Sequence, residues 1–246
     1  MAVSKWLLPI LRVLLVLLMV DAIIELSLIS SMVAWLHRFA GGDLEITNSS
    51  ISNLTQPTFL LHGKPRDLIV NHGHLANAAA GTSFTGIGLG GVLVLWLRER
   101  AGQKGSHYGG CSQSLYCLWT ICSVLSCILT LSGMIFTLSV IYQHDGQTID
   151  EVLASSLHDL PYPHQNAYTL QKWTPENWFS AVLQLHLSMN DDRINIATHL
   201  RIMKAWKWNL VPLFILGLCL AVVAIIDAVR QRKEALAVAR VSNINV

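Results

Sequence analysis

Two carboxylates one helical turn apart, Asp21 and Glu25, interrupt an otherwise apolar stretch that runs from about residue 7 to 36. A spacing of four puts both on the same face of a helix. A carboxylate in the middle of a membrane span costs about 2.5–3.5 kcal/mol on insertion scales unless it is neutralised or paired. Two on one face therefore imply buried partners. The residues able to answer them are Asn71, His72, His74 and Asn77, clustered where the second apolar stretch begins, and Arg12, whose long stem can instead carry its charge to the membrane surface. Asp21, Glu25, His72 and His74 are thus the candidate acid and base groups for any catalysis. Functionally they make a proton relay, a polar substrate pocket or a docking site for a partner's membrane helix. Structurally they make a hydrogen-bonded set that fixes helix register.

Other chemistry finds less support. The chain has ten histidines, but His37, His62, His144, His158, His164, His186 and His199 fall in connecting segments. A haem site would need histidines paired across the middle of spans, and none stands there. His72-Gly73-His74 offers two metal ligands without a third or fourth at ligand spacing, so neither a metal nor another cofactor is expected. The hydrolase motifs G-x-S-x-G and H-E-x-x-H do not occur. Gly86, Gly88 and Gly91 satisfy the dinucleotide pattern G-x-G-x-x-G, but they lie inside an apolar span with no preceding strand. Gly86 and Gly90 instead read as G-x-x-x-G, a helix-packing motif.

The elements that position these residues follow from composition. Of 246 residues, 52% are hydrophobic and 13% charged, against about 25% charged in soluble domains. The apolar residues bunch into four blocks, at about residues 7–36, 75–97, 115–142 and 210–229, each long enough for a hydrocarbon core that needs about 20 residues. No block shows the period-two alternation of a barrel strand, so each must be a helix. Tryptophans mark the boundaries: Trp6 and Trp35 bracket the first block, Trp96 closes the second, Trp119 opens the third, and Trp206 and Trp208 precede the fourth. The expected fold is all-α, a polytopic membrane protein built as one four-helix transmembrane bundle over residues 1–246, in contact with the lipid bilayer. A net charge of +2 gives no field for nucleic acid.

Orientation rests on two acceptor sequons, Asn48-Ser49-Ser50 and Asn53-Leu54-Thr55, both in the first connection. If glycosylated there, that connection and residues 143–209 are lumenal and both termini are cytosolic. Lys5, Arg98, Arg100, Lys104, Arg230, Arg232, Lys233 and Arg240 then lie on the cytosolic side, facing only Glu99 and Glu234, as the positive-inside rule asks. Arg201, Lys204 and Lys207 on the other side run against that rule, diluted by carboxylates. The N-terminal stretch reads as a signal anchor, since apolar sequence continues past Val20 without a cleavage site. No cysteine falls in either lumenal connection, which excludes four-span families that depend on external disulfides. Cys111 and Cys117, at the cytosolic end of the third span, are either palmitoylation sites or small apolar filler.

The long connection contains its own helices. In Trp173-Thr174-Pro175-Glu176-Asn177-Trp178, Thr174 is a good N-cap and Pro175 suits the first helical position, which predicts an amphipathic helix running to about Leu187. A second helix, from Ile194, leads into the fourth span. Together they form a lumenal cap, either a lid over His72 and His74 or a compact brace.

The segment from Trp173 to Phe179, followed by Ala181-Val182-Leu183, then Leu200-Arg201-Ile202-Met203 and Trp206-Lys207-Trp208-Asn209-Leu210-Val211-Pro212, resembles fungal four-span integral membrane proteins, some encoded in mycotoxin biosynthetic clusters of the aflatoxin type. The resemblance covers about the last third of the chain. It implies an accessory protein of a fungal endomembrane or the plasma membrane that contributes to secondary metabolism. The residues themselves leave two other functions open: a small membrane oxidoreductase or isomerase acting on a lipid-soluble substrate, and a transporter subunit. The latter needs a homo-oligomer or a membrane-protein partner, because no internal repeat is present.

Overall fold

The computed structural model describes residues 4–39, 41–47, 58–104, 109–157, 160–162 and 172–244. Both sequon asparagines, Asn48 and Asn53, and two of the loop histidines, His158 and His164, lie outside them. Four helices are long and apolar enough to cross a membrane: Trp6–Arg38, Asn71–Ala101, Ser112–Gln143 and Asn190–Glu234. The fold class is all-α, a four-helix membrane bundle. In chain order the elements are α1 (Ser4–Arg38), the strands β1 (Asp43–Thr47) and β2 (Thr58–His62), α2 (Asn71–Thr82), a π-helical segment (Ser83–Leu89), α3 (Gly90–Lys104), α4 (Gly109–Gln143), α5 (Glu151–Ser156), α6 (Pro175–Val182) and α7 (Asn190–Ile244).

The helices turn apolar faces outward. Val13 and Val16 on α1, and Ile121 and Leu125 on α4, are each more than half exposed, which suits lipid and not water. Their inner faces carry small and hydroxyl residues. Thr120, Ser123 and Thr130 are buried, and each hydroxyl donates to the carbonyl four residues back, so these three are satisfied within their own helix.

The chain groups into two compact units. One contains Met1–Ile24, Ala78–Ser132 and Leu210–Val246, the other Glu25–Asn77 and Gly133–Asn209. The first unit packs through small residues. Ala79, Ala80 and Ala224 are fully buried, as are Leu11, Leu15 and Leu18. Among the described glycines, the least room for a side chain is at Gly88 and Gly91. A Cβ on Gly88 would stand 2.5 Å from Met19 Cγ, and one on Gly91 would stand 2.8 Å from Trp119 Cζ2 and 2.9 Å from Leu15 Cδ1. Gly86 would meet only Thr82 of its own helix, and Gly90 touches Trp119 at 4.0 Å. The π-helical turn accounts for this placement, because its wider winding shifts the face presented by the residues after Ser83. The Trp119 indole N–H donates to the Ile87 carbonyl within that turn, 3.1 Å away.

The second unit contains a hairpin that the helix-centred reading above does not foresee. β1 and β2 pair antiparallel from Asp43↔His62 to Thr47↔Thr58, with Leu44, Ile46 and Leu61 buried beneath. Its edge is tied down by Ile46 bridging Leu187 and by the Thr47 amide donating to the His186 carbonyl. Thr174 caps α6, its hydroxyl accepting from the Asn177 amide at 3.1 Å. The helix stops at Val182, about a turn short of the expected Leu187. The carbonyls of Leu183 and Leu185 accept from the Arg193 guanidinium instead of from a continuing helix. Nor does α6 keep a polar outer face: every residue from Pro175 to Val182 except Ser180 is buried. It is an interior helix, and the Trp178 indole, fully enclosed, donates to the Gly63 carbonyl at 2.9 Å.

Replacing Gly91 by Leu should destabilise the first unit by about 1–3 kcal/mol through overpacking. Gly86→Ala should be neutral. Thermal unfolding in detergent, followed by size-exclusion monodispersity, measures both, and equal losses for the two variants would contradict the placement of the close approach.

Candidate functional site

The second unit holds a half-open cavity of about 410 Å³. One wall comes from α1, where Ile29, Met32, Val33 and Leu36 recur at helical spacing, with Ser30 and Ala34 beside them. The other comes from Val70 and the first turn and a half of α2, contributing His72, Gly73, His74 and Asn77, and Pro175 adds the end of α6. The Val70 carbonyl accepts from the amides of Gly73 (2.9 Å) and His74 (3.2 Å) at the start of α2.

The two histidines foreseen as acid and base groups therefore border one cavity. His72 is 2% exposed, and its ring stacks on Trp206, with centroids 5.7 Å apart and planes 25° from parallel. Neither His72 Nδ1 nor Trp206 Nε1 has a hydrogen-bond partner among the described residues. Glu25 is fully buried in the same unit but is not among the lining residues, and Asp21 belongs to the other unit. The cavity thus gathers His72, His74 and Asn77, not all four candidate groups.

Its walls are fixed by polar contacts around it. Trp35, on the α1 wall, donates through Nε1 to Asn195 Oδ1 at 3.1 Å, stacks on His199 at 4.5 Å and meets Phe179 edge-on at 4.7 Å. Behind Pro175, Lys207 Nζ donates to Glu176 Oε1 at 2.6 Å, with both residues less than a tenth exposed. The Lys207 ammonium also lies about 6.0 Å from the Tyr142 ring. Asn177 donates from Nδ2 to the Ile141 carbonyl at 3.0 Å.

In the first unit the polar residues form a second network. Arg98 Nη1 donates to Asp227 Oδ2 at 2.6 Å, Gln231 donates to the same oxygen, and the Arg98 guanidinium sits 4.8 Å from the Tyr116 ring centroid. Arg12 pairs with Glu99, and Arg230 with Glu234. Two ion pairs, Glu176–Lys207 and Arg98–Asp227, escape a reading that looks only for carboxylates at mid-span. Their signal is nonetheless present, since Asp227 falls inside the fourth apolar block and needs a cation at the same depth.

Cys117, Cys122 and Cys219 are exposed on span surfaces and Cys127 is buried, all as free thiols. The side chain of Cys111 is outside the described residues. Among the described residues no three His, Cys, Asp or Glu side chains group as metal ligands. No family model, no curated protein and no solved structure matches this chain.

Removing one partner of the buried ion pair leaves an uncompensated charge. Lys207→Met should therefore cost about 3–5 kcal/mol, and combining it with Glu176→Leu should recover most of the loss. Thermal unfolding in nanodiscs reads this directly. A single variant as stable as the parent protein would show that the pair contributes nothing.

Proposed function

We propose that this chain is an accessory integral membrane protein of the fungal endomembrane system that takes an apolar small molecule into the cavity beside His72 and His74, and so contributes to secondary-metabolite biosynthesis. The cavity carries this reading. At about 410 Å³ it is of the size that encloses small organic ligands, for which about 300–1,000 Å³ is usual. Its walls are aliphatic, with a few polar groups converging from one helix start, which is how such pockets orient a ligand. Holding fits better than turnover, because the strongest acid and base nearby, Glu176 and Lys207, are spent on each other. The resemblance of the Trp173–Phe179 and Trp206–Pro212 segments to fungal four-span proteins of mycotoxin clusters supplies the metabolic setting. Glycosylation at Asn48 and Asn53 would set the first connection in the lumen and both termini in the cytosol.

Deleting the gene should alter the secondary-metabolite profile of the host, and an unchanged profile would count against the metabolic role. At the level of the molecule, Gly73→Phe adds bulk at the cavity wall, where a Cβ meets nothing within 4 Å. The variant should lose a small molecule that mass spectrometry finds carried through purification by the parent protein. Equal carriage by both would remove the cavity from the argument. Glycosidase treatment should shift the parent protein on a gel and leave the Asn48→Gln, Asn53→Gln double variant unmoved. No shift of the parent protein would remove the support for this orientation.

A further inference from the structure

The first unit carries a groove of about 310 Å³ whose chemistry differs from that of the histidine cavity. Arg12, Leu15 and Val16 form one side, at positions i, i+3 and i+4 of α1. Val92, Leu95, Trp96 and Glu99 form the other, at i, i+3, i+4 and i+7 of α3. Leu15 and Leu95 are buried and make the floor, whereas Val16, Val92 and Trp96 stand exposed as rims. Both charged residues lie at one end, Arg12 near the start of its membrane span and Glu99 near the end of its own. The apolar floor runs from that end toward the middle of both candidate spans.

Charge bookkeeping at this end identifies what the groove suits. Arg98 is engaged by Asp227, Arg230 by Glu234, and the Arg100 guanidinium is held 4.2 Å from the Trp96 ring centroid. Of the residues lining the groove, one is a cation and one an anion, Arg12 and Glu99, half exposed and paired with each other. A headgroup carrying only negative charge would meet Glu99 as well as Arg12. A headgroup with both a phosphodiester and an amine complements the two charges together.

We propose that this groove binds a zwitterionic glycerophospholipid, with its phosphate on Arg12, its ammonium on Glu99 and an acyl chain along Leu15 and Leu95. An ion pair this exposed contributes little to folding by itself, so its position at the mouth of an apolar groove needs another reason. The lipid supplies that reason, because each charge keeps a partner while the groove floor is covered by hydrocarbon.

The test uses the full chain reconstituted with an equimolar mixture of phosphatidylethanolamine, phosphatidylcholine and phosphatidylglycerol, then stripped with mild detergent and weighed intact by native mass spectrometry. The parent protein should retain one of the two zwitterionic lipids, or both, in preference to phosphatidylglycerol. Arg12→Gln and Glu99→Gln should each reduce that retention by about tenfold, equivalent to about 1.4 kcal/mol. Val16→Trp, which obstructs the groove and leaves both charges intact, should do the same and keeps the test open if a charge variant fails to fold. Equal retention of all three lipids overturns the proposal. So does a preference for phosphatidylglycerol, or retention unchanged in the variants.

Discussion

A lysine ammonium 2.6 Å from a glutamate carboxylate, both shut away from water, is the contact on which the second unit depends. Taking either charge out of water alone costs several kcal/mol, so each is tolerable only where the other stands. That requirement ties α6 to α7 at one point. Once Glu176 is fixed, Pro175 and Asn177 are placed too, because they flank it in the first turn of a helix whose start is set by the Thr174 cap. Pro175 then lines the cavity, and Asn177 holds the Ile141 carbonyl at the far end of α4. The buried pair thus gives position more than stability, since well-packed hydrophobic residues would be no worse energetically.

The first unit obeys the same rule by different means. Asp227 would be costly inside an apolar span, and Arg98 and Gln231 together satisfy one of its oxygens. Hydroxyls along α4 turn back on their own helix, and the π-helical turn places the Ile87 carbonyl within reach of the Trp119 indole. At Gly88 and Gly91 the side chains of Met19, Leu15 and Trp119 occupy the space that a Cβ would need.

The spans were legible because apolar block length responds to one dominant constraint, the thickness of hydrocarbon. The start of α6 was legible because a Thr-Pro-Glu sequence serves a helix N-terminus and little else. Its end was not, because the carbonyls past Val182 are taken by Arg193, ten residues from Leu183 in sequence, and no local signal announces such a partner. The hairpin shows the opposite failure. Asp43-Leu44-Glu45-Ile46-Thr47 alternates polar and apolar as a half-buried strand should, but a five-residue alternation is easily passed over beside long helical blocks. The glycine run could be named from sequence, but not how much room each glycine has. A G-x-x-x-G reading presumes an α-helical face, and the π-helical turn redistributes which residues share it.

For the candidate site, sequence could name His72 and His74 but not their surroundings, because the second wall comes from α1, some forty residues earlier in the chain. That wall changes what the histidines are suited to do. A proton relay needs a chain of groups within hydrogen-bond reach of one another. The cavity instead presents His72 stacked flat on Trp206, with Nδ1 and the indole nitrogen both without a hydrogen-bond partner among the described residues. Buried polar atoms in native proteins nearly always find partners, so two such atoms on stacked rings, one of them on a cavity-lining residue, mark the place where a bound molecule could supply what the chain does not.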